Sequence, residues 1–204
     1  MRVLILVFLL INTGAVAQSK QDSLLIVDGS AIIQEMKLMW NYDQAVREYI
    51  HYQTFDKHKT DSIEALPAPV KERILDSLKL TKSYSNKVWD NYIIPFDHLH
   101  TKRMIEIIKK YGFPSNSRIE KLLNYKMEFH TYMILLHSPK EYAQELIALV
   151  TTEHKNGNFP NKCLYGHLLW HLNGRSNMKY FLENGYVFEK QPDGQTTLVP
   201  KNCE

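Results

Sequence analysis

Apolar residues recur at three- and four-residue spacing along almost the whole chain, and this helical period is the strongest constraint on its fold. Asp28-Gly29-Ser30 provides a turn and a candidate N-cap, after which the spacing predicts a first helix over 31–54. Polar stretches at 56–64 and 83–86 are interpreted as breaks. Further helices are predicted over 70–80, from Pro95 to Gly112, over 117–137, from Pro139 to Asn156 and from Pro160 to Gly174.

The end of the chain has a different pattern. Tyr186–Phe188 and Thr196–Val199 alternate as short strands do, and Gln191-Pro192-Asp193-Gly194 between them is typical of a turn. We therefore predict an all-α, single-domain bundle or array of helices with a short extended or hairpin tail. The expected divisions are a signal at 1–17, a lead-in at 18–30, a helical domain at 31–182 and the tail at 183–204.

The first residues have the pattern of a secretory signal peptide. Arg2 precedes nine residues without a polar side chain, and Ala15-Val16-Ala17 forms an Ala-x-Ala cleavage site. The apolar run is much shorter than the roughly 20 residues that span a bilayer. The alternative is an uncleaved anchor. We expect an exported protein, periplasmic or secreted, without a transmembrane segment after cleavage.

Composition agrees with a folded exported domain. Apolar residues make up 44% of the chain and charged residues 23%, which excludes wholesale disorder. Cys163 and Cys203 are the two cysteines, and an oxidising compartment permits a disulfide between them. Two free thiols, one buried and one on the tail, are the alternative. Without Arg2, 24 basic residues oppose 22 acidic ones, so a nucleic-acid partner is not expected.

One segment resembles a known family. From Asp97 to Pro114 the chain reads D-H-L-H-T-K-R-M-I-E-I-I-K-K-Y-G-F-P, and Leu136-His137-Ser138 follows the next helix. This resembles a bacterial domain family of unknown function whose pattern is D-x-x-N, a helix rich in Ile and Leu, G-W-P, and a helix ending near Q-H-A. His100 replaces the Asn and Phe113 the Trp. The resemblance covers roughly 90–180 and implies an α-helical domain in which Asp97 and His137 are marked positions.

Nine histidines suggest two groups of candidate site residues. His167 and His171 share a helix face at i,i+4, a spacing that allows both imidazoles to bind one metal ion, although the Glu of H-E-x-x-H is missing. His130 and His137, seven apart on the predicted 117–137 helix, can converge with Asp97 and His100 in a bundle interior. The candidate pocket is Asp97, His100, His137 and Trp170; the candidate metal ligands are His167, His171 and His130, for a zinc-like divalent ion.

Each candidate also has a structural interpretation. His137 beside Pro139 suits a helix C-terminus, Asp97 suits a first turn, and paired histidines are common on amphipathic helices. No G-x-S-x-G elbow or phosphate-binding glycine loop occurs. Twelve Tyr and three Trp are enough to line a groove for a protein, peptide or glycan, or to fill helix seams.

Three functional hypotheses follow. The first is a non-enzymatic binding or interaction module, because no complete catalytic constellation is evident. The second is a metal-dependent hydrolase that uses some of the His and Asp candidates. A pH-responsive element that exploits the histidines is a third.

Overall fold

A computed structural model describes residues 2–203, with side chains described for residue 18 and for residues 20–203. The predicted signal peptide, residues 1–17, lies outside the described side chains. Helices account for most of the chain, and a two-stranded hairpin follows them. The prediction of an all-α fold with a hairpin tail is confirmed.

The elements follow one another with short connections. The helices are α1 (Arg2–Tyr52), α2 (Lys57–Glu64), α3 (Ala68–Ser77), α4 (Lys82–Val88), a π-helical turn (Trp89–Ile93), α5 (Ile94–Tyr111), α6 (Asn116–Leu123), α7 (Thr131–Leu135), a 3₁₀ turn (Lys140–Tyr142), α8 (Ala143–Lys155), α9 (Lys162–Leu172) and α10 (Lys179–Leu182). The strands β1 (Tyr186–Lys190) and β2 (Thr196–Pro200) pair antiparallel.

The core forms where α1 and α5 pack together and α6, α7, α8 and α9 cover them. Its most deeply buried side chains are aliphatic, methionine or aromatic, and include Leu25, Met36, Met104, Ile107, Phe113, Ile119, Leu135, Leu146 and Leu168. The core cluster takes none of its members from α2, α3 or α4. These three helices therefore form an arm that extends from the end of α1, and we call residues 56–88 the arm.

The predicted start of the first helix at residue 31 was wrong. α1 runs without interruption through Gly29, and Leu25 in the expected lead-in is fully buried in the core. A Cβ at Gly29 would lie 2.4 Å from a methyl carbon of Leu123 on α6. The glycine thus permits close helix packing inside α1, and it does not end a helix.

The two predicted breaks are also helical. Residues 56–64 contain α2, where the Asp56 carboxylate accepts a hydrogen bond from the His58 backbone N–H at 3.0 Å. Residues 83–86 belong to α4, which Thr81 caps through the Tyr84 N–H. Both helices are short and mostly exposed, so they lack the long apolar stripe on which the prediction depended.

The predicted helix over 117–137 was wrong as well. α6 ends at Leu123, and Asn124 adopts a left-handed backbone with φ of 51°. The chain then runs irregularly to α7, held by Asn116 Nδ2, which donates to the carbonyls of Met127 and Phe129. His130 is exposed at the start of α7, so His130 and His137 do not share the face of one long helix.

Several local predictions are confirmed. Pro95 lies in the first turn of α5, and Gly112 ends that helix with φ of 71°. The tail hairpin pairs Tyr186 with Pro200. Cys163 on α9 and Cys203 form a disulfide, which fixes the end of the chain beside the helical domain.

Candidate functional site

Four charged or titratable side chains meet where α1, α5 and the segment after α7 come together. Asp43 and Arg47 lie one turn apart on α1, and Arg47 Nη2 donates to Asp97 Oδ1 of α5 at 2.5 Å. Asp43 Oδ1 lies 2.8 Å from His137 Nδ1 and 3.0 Å from Arg47 Nε. We call Asp43, Arg47, Asp97 and His137 the polar quartet.

The partners of His137 Nδ1 favour one tautomer of the imidazole. Arg47 Nε is 3.1 Å from His137 Nδ1, but a guanidinium N–H can only donate. Nδ1 cannot accept that proton and also donate to Asp43. Because Asp43 Oδ1 is the closer and charged partner, we assign Nδ1–H as its donor, with Arg47 also donating to Asp43. The Nε2 atom of neutral His137 is then the unprotonated nitrogen.

The two carboxylates have opposite electrostatic surroundings. Burial raises the pKa of Asp43, but the hydrogen bond from His137 and the charges of His137 and Arg47 outweigh it, so the net pKa is lowered. Burial also raises the pKa of Asp97. Arg47 lowers this pKa, but burial has the larger effect, so the net pKa of Asp97 is raised. Asp43 is therefore the carboxylate held ionised, and Asp97 is the one that protonates more readily.

The quartet is mostly enclosed but open on one side. The Asp43 side chain is 3% exposed, while that of His137 is 24% exposed. A cavity of about 10 Å³, enough for about one water molecule, lies behind the quartet. It is lined by Tyr42, Asp43, Val46, Arg47, Tyr92, Ile93, Phe96, Asp97 and His100.

Aromatic rings form one wall of the site. Tyr42 stacks on Phe96 with ring centroids 4.1 Å apart, and His100 meets both rings edge-on. Burial lowers the pKa of His100. The Trp89 ring lies 5.5 Å from the Arg47 guanidinium. Three predicted pocket residues, Asp97, His100 and His137, thus come together here.

Trp170, the fourth predicted pocket residue, lies in a different cluster. Its ring packs on Phe181 at 5.1 Å and on His167 at 5.9 Å, and it is not among the residues that line the quartet cavity. The Arg175 guanidinium lies 5.8 Å from the centre of its ring. Trp170 therefore supports Arg175, at the C-terminal end of α9.

The three predicted metal ligands have separate surroundings. His167 packs on Trp170 and Phe181, His171 contacts Ser138 and Arg175, and His130 is exposed. Over residue 18 and residues 20–203, no three His, Cys, Asp or Glu side chains are grouped so that they could hold a metal ion. His171 is also fully engaged, because Arg175 donates to Nδ1 and Nε2 donates to the Ser138 carbonyl.

Sequence reasoning missed half of the quartet, Asp43 and Arg47. The available signal was the position of Asp43, four residues after Met39 and three before Val46 on the apolar stripe of α1. A charged residue on a stripe that faces a core is unusual and needs a partner. Arg47, one turn further, is that partner.

The glycine motif of the family resemblance is at a second buried polar cluster. The Phe113 backbone N–H donates to Glu153 at 2.5 Å, and Arg118 binds the Phe113 carbonyl as well as Asp22. A Cβ at Gly112 would lie 2.8 Å from Arg118 and 3.0 Å from Glu153. In this chain Gly112-Phe113-Pro114 therefore serves the fold, whereas Asp97 and His137 lie at the polar quartet.

No family model matches the chain, and no curated protein or solved structure matches it. The resemblance to the bacterial family therefore stays a prediction. Within the described part of the chain, no helix has the length and apolar character to cross a membrane.

Proposed function

We propose that this protein is an enzyme that carries out acid–base chemistry, with His137 as the proton acceptor. The observation that carries the proposal is the 2.8 Å hydrogen bond between buried Asp43 and His137 Nδ1. A carboxylate at Nδ1 sets the imidazole tautomer and stabilises the imidazolium that forms when Nε2 takes a proton. Asp43 is thus a positioning residue, and His137 is the group that meets the substrate.

The other two members of the polar quartet, Arg47 and Asp97, have roles that fit acid–base chemistry. Arg47 binds both carboxylates and holds them at a fixed separation. Asp97, whose pKa is raised, supplies a second proton-transfer group beside the first. Neighbouring acids whose surroundings shift their pKa values in opposite directions are the usual arrangement when one group must donate a proton and another must keep its charge. Hydrolysis or group transfer to a hydroxyl is the reaction class that such a set serves.

Stability alone is a weak reason for such a cluster. Placing charges in a protein interior costs desolvation energy that their mutual attraction barely repays, and apolar replacements are often as stable. Side chains with perturbed pKa values in one partly open cluster are more typical of a functional site. The partial exposure of His137 gives a substrate access to it.

We place this activity outside the cytoplasm, in the periplasm or the secreted fraction. The Cys163–Cys203 disulfide supports this proposal, because such bonds persist in oxidising compartments. The signal-like residues 1–17 point in the same direction.

The test is a turnover screen of residues 18–204 on chromogenic esters, phosphoesters and glycosides. For any substrate that is turned over, we expect His137→Gln to lower kcat by about 100-fold or more. Asp43→Asn should lower it and also shift the pH profile, an effect that loss of packing alone does not produce. The matched control is His130→Gln, an exposed His on the same segment.

A readout independent of turnover is alkylation or acylation of histidine, for instance by diethyl pyrocarbonate, mapped by mass spectrometry. We expect His137 to react quickly through Nε2, and His171, with both ring nitrogens hydrogen-bonded, to react slowly. Turnover that His137→Gln leaves intact, or equal labelling of the two residues, would contradict the proposal.

An interaction module remains a second candidate, supported by exposed apolar side chains beside the site. From α4 to α5 these are Tyr84, Trp89, Tyr92, Ile94 and Leu99, each at least 40% exposed. Large exposed apolar side chains that form a contiguous patch often mark a binding surface. Glycan or peptide binding that Tyr92→Ala abolishes and His137→Gln preserves would favour this function over catalysis.

A further inference from the structure

A second cavity opens next to the polar quartet, between the end of α9 and the 3₁₀ turn. Its volume is about 220 Å³. The lining residues are Ser138, Pro139, Lys140, Ala143, His171, Leu172, Gly174 and Arg175. We call this cavity the Arg175 pocket.

Arg175 is held in place on three sides. Its Nε donates to His171 Nδ1 at 2.9 Å, its Nη2 donates to the Leu136 carbonyl at 3.1 Å, and its guanidinium lies over the Trp170 ring. Its backbone is left-handed, with φ of 59°. This conformation is unfavourable for a non-glycine residue, and such strain is concentrated at functional positions.

The charge of Arg175 has no acidic partner among the described residues. Arg47, Arg103 and Arg118 each form an ion pair with a carboxylate, whereas the bonds of Arg175 go to neutral acceptors. The pocket lining contains a second cation, Lys140, and no Asp or Glu.

His171 adds no charge to the pocket near neutral pH. Burial lowers the pKa of His171 to about 4, and the charge of Arg175 acts in the same direction. The imidazole is therefore neutral when it accepts the Arg175 N–H. The pocket has a fixed positive charge with spare N–H donors on Nη1, which is the arrangement that binds carboxylates and phosphates.

The pocket and the quartet share one stretch of backbone. Leu136 accepts the Arg175 hydrogen bond and Ser138 accepts that of His171, and His137 lies between them. His171 lines the pocket, and its pKa is lowered by the charge of His137, so the two imidazoles are near each other.

We infer that the Arg175 pocket binds an oxyanion group, carboxylate or phosphate, of the substrate on which His137 acts. That the bound molecule is a substrate of His137 rests on the proposed function. Binding of the oxyanion itself is measurable without turnover. A bidentate contact with the Arg175 guanidinium would anchor the ligand, and Lys140 would add to the attraction at the pocket mouth.

The experiment is an NMR titration of the 18–204 chain at pH 7 with sodium acetate or sodium phosphate, against sodium chloride at equal ionic strength. The reporters are the Arg175 Nε–H and the indole N–H of Trp170, which is buried and has no hydrogen-bond partner among the described residues. We expect saturable shifts in both signals. Arg175→Gln should weaken binding about tenfold or more, since a hydrogen bond to a charged group contributes about 1.5–3 kcal/mol.

Two further variants keep the test decisive. Lys140→Gln changes an exposed side chain, so it should keep the fold and weaken binding by a few-fold. Arg73→Gln, at an exposed arginine of the arm that also lacks an ion pair, should leave binding unchanged. Response to acetate alone, to phosphate alone or to both identifies the ligand class and supports the inference.

Shifts that follow ionic strength only, or that persist unchanged in both Arg175→Gln and Lys140→Gln, would overturn it. Failure of this experiment leaves the labelling of His137 unaffected. The pocket and the proposed acid–base chemistry are therefore tested separately.

Discussion

At the residue scale, two histidines next to each other in space have opposite roles. In neutral His137, Nε2 is unprotonated because Nδ1–H donates to Asp43, whereas His171 uses both nitrogens for hydrogen bonds within the protein. The two imidazole rings are chemically identical, so the hydrogen-bond partners of the ring nitrogens decide which of the two histidines can react with a ligand. This distinction supports His137, and not the i,i+4 pair that the sequence emphasised, as the reactive residue.

The depressed pKa of His171 predicts a pH-dependent stability. Burial and Arg175 lower the pKa of His171 from 6.5 to about 4; His137 and His167 act in the same direction, and the Ser138 carbonyl opposes them. The unfolded chain binds this proton at the ordinary pKa, so it holds more protons than the folded chain between these values. The free energy of unfolding is therefore expected to fall as the pH decreases from about 6.5 to 4.

Urea unfolding of the wild type and of His171→Gln across that range measures this contribution. The variant should show a flatter decline, because the group that titrates differently in the two states has been removed. His130→Gln, at an exposed position, serves as the control and should follow the wild type. If the free energy of unfolding fell with pH equally in His171→Gln and in wild type, His171 would not be the source of this pH dependence.

At the element scale, two glycines that follow helices both have a positive φ but differ in their surroundings. Gly112 after α5 has φ of 71°, and Gly157 after α8 has φ of 73°. A Cβ at Gly112 would approach Arg118 at 2.8 Å, while a Cβ at Gly157 would meet nothing within 4 Å. Both positions disfavour alanine through the positive φ, and Gly112 alone adds crowding by buried side chains.

Both glycine-to-alanine variants should lose at least about 1–2 kcal/mol because of the positive φ. The loss at Gly112 should be the larger, because its ψ of 173° lies in a region essentially restricted to glycine. Gly112→Ala should lose about 1–3 kcal/mol more, because it pushes apart the buried Arg118 and Glu153 contacts. Midpoints of urea unfolding measure the difference. Equal losses of stability in the two variants would contradict this prediction, because they would mean that Arg118 and Glu153 move apart with no loss of stability.

At the scale of the whole molecule, the core and the arm differ in how they are held. The core cluster is formed by α1 and by the helices from α5 onward, while α3 of the arm has no buried residue. The arm contacts the far end of α1, where the Tyr52 hydroxyl donates to Glu64 and Gln53 donates to the Leu78 carbonyl. We therefore expect the arm to exchange its amide hydrogens faster than the core helices.

The disulfide is a covalent cross-link that joins the tail to α9, in addition to the continuous backbone. Cys203 is 40 residues from Cys163, and its carbonyl also accepts the Lys162 N–H at 3.2 Å. Closing a loop of this size restricts the unfolded chain and is worth about 2–4 kcal/mol. The double variant Cys163→Ser, Cys203→Ser should lose about that much in a thermal or urea melt, and wild type under reducing conditions should match it. A melt insensitive to reduction would contradict this.

Local patterns were sufficient for much of the fold. The apolar period predicted the helical class, Pro95 and Gly112 marked the ends of α5, and the turn at 191–194 predicted the hairpin. These features depend on residues close together in the chain, so sequence alone contains their physical cause. The same reasoning grouped Asp97, His100, His137 and Trp170 in one pocket, partly through the family resemblance, and Trp170 lies in a different cluster.

Tertiary packing decided the rest. Gly29 could be helical because Leu123 from another helix packs against it, and Asn124 ends α6 where the apolar period alone would continue. Asp43 and Arg47 became site residues only when α5 and the end of α7 brought Asp97 and His137 to them. Spacing along one helix reveals a shared face, but the partner that a buried charge requires comes from elsewhere in the chain. Sequence by itself therefore determined the fold class and several helix ends, and the tertiary structure determined which side chains form the site.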